Sequence, residues 1–250
     1  MMERPVEIVV LSSPEEACLK AARIVAETVT ARPAAVLGLP AGRTPGPVYA
    51  ELGRLHREAG LSFARARAFN LDEYVGLGPD HPASFRRALV EALYLPVGLP
   101  ADNARSPDGR APDPAAAARA YEAEIAAAGG FELCLLGIGG NAHVAFNEPG
   151  SAFDSVTRVV TLSAATRAAN RAAFDPDEVP RQAITIGIAT ILGARRVVLL
   201  ATGPAKAAAV AQVIEGPIGA DVPASALRLH RAATVILDGA AASRLTAARG

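Results

Sequence analysis

Short apolar runs alternate with longer amphipathic stretches along the chain. Residues 6–11, 35–39, 66–71, 133–138, 197–201 and 234–237 are mostly apolar. They are too short for typical helices, and their lack of polar alternation marks strands buried on both faces. The stretches between them carry helical periodicity. Residues 14–30 read as a helix with Ser12 or Ser13 as its cap, and a second runs from a Gly/Pro turn to about His56. A third is expected over residues 81–93. Asp113 and Pro114 open another as cap and first-turn proline; Tyr121, Ile125 and Ala128 share one of its faces, and Gly129-Gly130 ends it.

Buried strands alternating with helices predict an α/β fold: a Rossmann-like parallel sheet with helices on both faces. There is no internal repeat. The loop-rich stretch 100–112 is too short to separate two units, so residues 1–250 read as a single domain. In such sheets a ligand lies beyond the carboxyl ends of the strands, and four apolar runs are followed there by polar or glycine-rich segments. Gly38 to Pro45 includes Gly42, Arg43 and Thr44, donors suited to an anion where a helix begins, although an ordinary strand-to-helix turn would look the same. Asp72 and Glu73 follow the third run; one carboxylate facing the crevice could abstract a proton beside a carbonyl, while a helix cap or a solvated pair is the plainer alternative. Gly137 to Pro149 brings Asn141, His143 and Glu148 close together after a glycine-rich strand end, a setting for acid–base work. Thr202 to Lys206 places a cation beside a helix start, or else a surface lysine. Together these residues suit proton transfer on a small phosphorylated substrate.

Composition narrows the alternatives. Apolar residues make up 51% of the 250, and 25 basic side chains balance 25 acidic ones. A nucleic-acid binder normally carries a basic surplus, so none is expected as a partner. Cys18 and Cys134 sit in apolar patterns and match no metal spacing. No metal cluster and no activated Ser or Cys nucleophile is evident. No run of 18 uncharged apolar residues suggests a membrane span, and the first residues do not resemble a signal peptide, so a cytoplasmic location is expected.

The motifs resemble those of the glucosamine-6-phosphate deaminases across nearly the whole chain. "GLPAGRTPGPVY" looks like that family's phosphate loop, "FNLDEYVGL" followed by "HPASF" like its base segment, and "LGIGGNAHVAFNEPGS" like its central motif. Residues 155–170 continue in register, and "ITIGIATIL", "TGPAK" and "PASALRLH" complete the match. The resemblance implies conversion of glucosamine 6-phosphate and water to fructose 6-phosphate and ammonia, with no cofactor. It implies that Asp72 moves a proton from carbon 2 to carbon 1, and that His143, supported by Glu148, assists ring opening. Gly42, Arg43, Thr44 and Lys206 would hold the phosphate. The chain departs from the family at three places. Asn141 stands where many members have Asp. Ala172 stands where many have Arg, and Arg171 or Arg43 could restore that cation. Val160 stands where members activated by N-acetylglucosamine 6-phosphate have Lys, although Ser151 and Arg158 remain. Family members range from monomer to hexamer, so a homo-oligomer is allowed.

The nearest rival is a 6-phosphogluconolactonase-like hydrolase, which should carry an "SLFP"-like segment after the His and an Arg after the Asp-Glu pair; this chain has "AFNEP" and Tyr74. A deaminase for another hexosamine 6-phosphate is a second alternative. A non-catalytic sugar-phosphate sensor is a third; it would usually bring a DNA-binding segment, and no spare basic helix is seen.

Overall fold

The computed structural model describes residues 6–42, 44–175 and 177–246. Seven strands form the main sheet: β1 (Glu7–Leu11), β2 (Val36–Leu39), β3 (Arg67–Asn70), β5 (Ala104–Arg105), β6 (Leu133–Leu136), β9 (Arg196–Ala201) and β10 (Ala233–Asp238). Their spatial order is β1-β10-β9-β6-β2-β3-β5, and every pairing is parallel. Successive side chains of a strand point to opposite faces, and the core divides accordingly. Leu133, Leu135, Val198 and Leu200 pack with α1 (Pro14–Ala31) and α2 (Gly46–Ala59). Cys134, Leu136, Val197 and Leu199 pack on the other face with α4 (Pro114–Ala127), α6 (Ile188–Leu192) and α7 (Ala207–Glu215). The expected parallel sheet with helices on both faces is thus present, and both cysteines are buried and free; residues 6–11 do not form the doubly buried strand expected, because β1 is an edge strand whose Ile8 and Val10 are exposed.

Local chemistry sets the helix ends. The Ser13 side chain accepts from the Glu16 amide at the start of α1. Asp113 caps α4 by accepting from Ala116, with Pro114 in the first turn. The helix expected over residues 81–93 begins later. Residues 81–84 are turns, Ser84 caps α3 (Phe85–Leu89), and the chain continues as a π-helical turn over Val90–Tyr94.

A second sheet was not anticipated. β4 (Asp72–Tyr74), β8 (Gln182–Thr185) and β7 (Arg158–Thr161) form an antiparallel three-stranded sheet in that spatial order. β4 has three residues, two of them acidic, so hydrophobic periodicity could not reveal it. Asp72 therefore heads a strand of its own, paired with Thr185, and does not lie in an open loop after β3. Tyr74 anchors this sheet: its ring lies 4.9 Å from Phe85, 5.3 Å from Phe146 and 5.0 Å from Phe174. Those contacts join the Asp72 segment to the loop after β6 and to the segment following α5 (Ala164–Asn170).

Candidate active site

The strands β9, β6, β2 and β3 are consecutive neighbours in the main sheet, and each is followed by one of the four polar segments. Because the strands are parallel, all four segments emerge from the same edge. After β2, Gly42 adopts φ 119, a conformation open to glycine, and Thr44 is half-buried. Arg43 lies outside the described residues. The Tyr49 hydroxyl donates to the Pro40 carbonyl at 2.6 Å and pins this loop to α2, whose first turn has no capping side chain. Its amide groups are thus suited to an anion.

Asp72 is 7% exposed. Burial, and secondarily the charge of Glu73, pushes its carboxyl up to about 8. Glu73 points away from this chemistry. It accepts from the Ser84 hydroxyl at 2.7 Å and from the Phe85, Arg86 and Tyr74 amides, so it serves the start of α3. One carboxylate of the pair is therefore spent on a helix N-terminus and the other is left for the site.

The loop after β6 holds His143 in a strained backbone. Ala142 and Ala145 both have positive φ, 62 and 50, an uncommon conformation for residues bearing a Cβ. The imidazole lies directly over Gly139, where an added Cβ would come within 2.1–2.4 Å of the ring atoms. Nδ1 of His143 is 2.5 Å from Oδ1 of Asn141. An amide oxygen only accepts, so with the side chain so oriented the proton sits on Nδ1, leaving Nε2 with its lone pair. Burial lowers the His143 pKa, the charge of Glu148 raises it, and the charge of Lys206 lowers it again. The ring is consequently neutral near pH 7.

Glu148 influences His143 through its charge; its hydrogen bonds lie elsewhere. It accepts from the amide of Ser163 at 3.0 Å and from the hydroxyls of Ser163 and Thr166, at the first turn of α5. The residue hydrogen-bonded to the imidazole is Asn141.

Several residues that build the site were not singled out from the sequence. Asn147 is fully buried; Nδ2 donates to the Val144 and Ile186 carbonyls, and Oδ1 accepts from Arg158, fixing the His143 loop to the end of β8. The Thr185 hydroxyl accepts from the Phe146 amide at 3.1 Å. Asp238, at the end of β10, accepts from the amides of Gly203 and Ala241 and so sets the turn that carries Lys206. An acid closing an apolar run was the available signal for Asp238; the others depend on contacts between distant segments.

Arg171 lines a depression with Arg167 and Arg181. Among the described residues no His/Cys/Asp/Glu group suits a metal ion, and no helix is long and apolar enough to cross a membrane.

Fold and site together define an α/β protein with a buried acid, a neutral imidazole and an anion-attracting strand edge, the equipment of proton-transfer enzymes for small phosphorylated molecules. The chain belongs to the glucosamine-6-phosphate isomerase/6-phosphogluconolactonase family, whose model matches residues 12–236. A protein of Rhodopirellula baltica named glucosamine-6-phosphate deaminase is 46% identical over 241 residues, covering 96% of each chain. One of the same name from Streptomyces avermitilis is 48% identical over 226 residues, covering 90% of this chain and 87% of the relative. A solved structure described as a monomeric glucosamine-6-phosphate deaminase superposes with a TM-score of 0.93 at 43% identity, covering 96% of this chain and all of the other. A 6-phosphogluconolactonase from Trypanosoma cruzi reaches a TM-score of 0.80 at 24% identity, covering 98% of each chain, and shows the shared fold.

Proposed function

We propose that this chain converts glucosamine 6-phosphate and water to fructose 6-phosphate and ammonia. The observation that carries the reading is near-full-length identity of 46–48% to proteins bearing the deaminase name, against 24% to the lactonase just described. The site chemistry agrees. Nε2 of the neutral His143 takes the anomeric hydroxyl proton as the ring opens and returns it to the ring oxygen, giving the open aldehyde. Asp72, as carboxylate, removes the proton from carbon 2 while the carbonyl oxygen takes a proton from the substrate's ammonium group; the electron pair left at carbon 2 is delocalised towards that oxygen, giving an enolamine, so no cofactor is required. Asp72 returns the proton to carbon 1, and water displaces ammonia from the imine left at carbon 2. A carboxyl raised to about 8 suits both halves of this transfer, because its two protonation states lie close in free energy near neutral pH.

Gly42, Arg43, Thr44 and Lys206 hold the phosphate in this reading. Phosphate binding is remote from the reacting carbons and orients them. The partner is thus a small phosphorylated amino sugar, and a cytoplasmic setting supplies such substrates. Ammonia release from a panel of hexosamine 6-phosphates, run beside hydrolysis of 6-phosphogluconolactone, tests the assignment. Ammonia from glucosamine 6-phosphate with no lactone hydrolysis is expected; the reverse result overturns it, and a preference for the galactosamine epimer would reassign the substrate. Lys206→Ala should raise KM for the phosphorylated substrate about tenfold or more, as expected for a lost charge-assisted contact.

A further inference from the structure

Arg167, Arg171 and Arg181 surround a depression of about 440 Å³, completed by Ala164, Ala168 and Val179, with Glu178 as its one acidic lining residue. Arg167 lies in α5, Arg171 one turn further on, and Arg181 immediately before β8. A separation of four residues sets Arg167 and Arg171 on one helical face. Among the described residues none of the three guanidinium groups forms an ion pair or donates a side-chain hydrogen bond, and Nε of Arg167 is buried without a partner. Most buried polar groups in folded proteins are satisfied, and an unsatisfied one calls for an explanation. Three like charges around one concavity also repel one another, and a bound anion would relieve both costs. Arginine presents a planar fork of donors that matches phosphate oxygens.

We propose that Arg167, Arg171 and Arg181 form a phosphate-binding site separate from the Lys206 end of the active crevice. Its ligand is a phosphate dianion, supplied either as inorganic phosphate or as a phosphate monoester. Occupation clips α5 to the start of β8. Ser163 and Thr166, which hold the Glu148 carboxylate, begin the same helix, so the site lies one turn from the support of the catalytic loop. The location of that support rests on the deaminase reading; the binding itself does not.

Calorimetric titration of the full chain with inorganic phosphate, and separately with fructose 6-phosphate, tests the proposal. Wild type should bind two equivalents of inorganic phosphate. Lys206→Ala should retain the arginine-dependent equivalent. The double variant Arg167→Gln/Arg181→Gln should weaken that equivalent about tenfold or more while keeping the other. Arg181→Gln alone, at an exposed position, gives the same readout should the double variant fail to fold, and Arg181→Lys should restore part of the affinity. If Lys206→Ala abolishes all phosphate binding, the separate site does not exist. If the arginine variants weaken fructose 6-phosphate and phosphate in parallel at a single shared site, the arginines serve the substrate's own phosphate and the proposal falls. Absence of ammonia release with two phosphate equivalents intact would instead overturn the deaminase reading and leave this site standing.

Discussion

In the proposed mechanism the buried side chain of Asp72 ties catalysis to stability. A carboxyl that titrates near 4 in an unfolded chain and near 8 when folded keeps its proton in the native state throughout that interval. The unfolded chain binds fewer protons there, so stability falls as pH rises from about 4 to about 8 and is fully present below both values. Asp72→Asn removes that penalty. Thermal melts should show the variant gaining Tm relative to wild type at pH 8 and losing the gain at pH 4, while turnover drops by about 10²–10⁴. Equal pH dependence in both proteins would mean that Asp72 is not held protonated. In wild type kcat/KM should climb with pH towards about 8, as the base form becomes populated. His143 gives a second test at this scale. Its pKa is depressed by burial and by Lys206 and supported by Glu148. Ring proton shifts followed by NMR should show Glu148→Gln lowering that pKa further, and Asn141→Asp raising it by placing a carboxylate at Nδ1. No movement in either variant would remove both residues from the electrostatics of the ring.

Among the elements, the loop between β6 and β7 does the most to create the site. Its strain at Ala142 and Ala145 is held by Asn147, by the Ala224 amide donating to the Ala142 carbonyl at 3.1 Å, and by Phe146 against Tyr74. Gly139 is needed because the imidazole occupies the space where a Cβ would stand. Gly139→Ala can be accommodated by moving the His143 ring, with little change to the sheet. Turnover should fall about a hundredfold or more, in line with the loss from misplacing a catalytic group by about 1 Å, while the melting midpoint shifts by only a few degrees. An unaltered turnover would show that the ring position over Gly139 is not the reactive one. The resemblance carried the His143 loop as a motif, and spacing brought His143 close to a carboxylate, but which side chain meets the ring nitrogen is a matter of loop geometry. That geometry selected Asn141 and sent Glu148 to α5.

At the scale of the molecule, the small antiparallel sheet links the base segment, the His143 loop and the chain after α5. Val160 on β7 packs against the Tyr74, Phe146 and Phe174 cluster, and Arg158 spends its guanidinium on Asn147 and Ser151. Val160 supplies packing and no cation, so N-acetylglucosamine 6-phosphate should leave the rate curve hyperbolic, with an unchanged half-saturation point. A sigmoidal curve that this sugar phosphate makes hyperbolic would show coupling between two states despite the missing charge.

Sequence alone determined the large features, because they rest on local rules. Most of the continuous apolar runs are strands buried on both faces, β1 at the sheet edge being the exception, Ser13 and Asp113 mark helix starts by their hydrogen-bonding chemistry, and polar segments following parallel strands must share one edge. Tertiary structure decided how the two adjacent acids are used: strand alternation turns Glu73 to the start of α3 and leaves Asp72 buried beside Thr185. It also decided that Arg171 stands with Arg167 and Arg181. Such choices depend on contacts between segments far apart in the chain, and no spacing within a single segment records them.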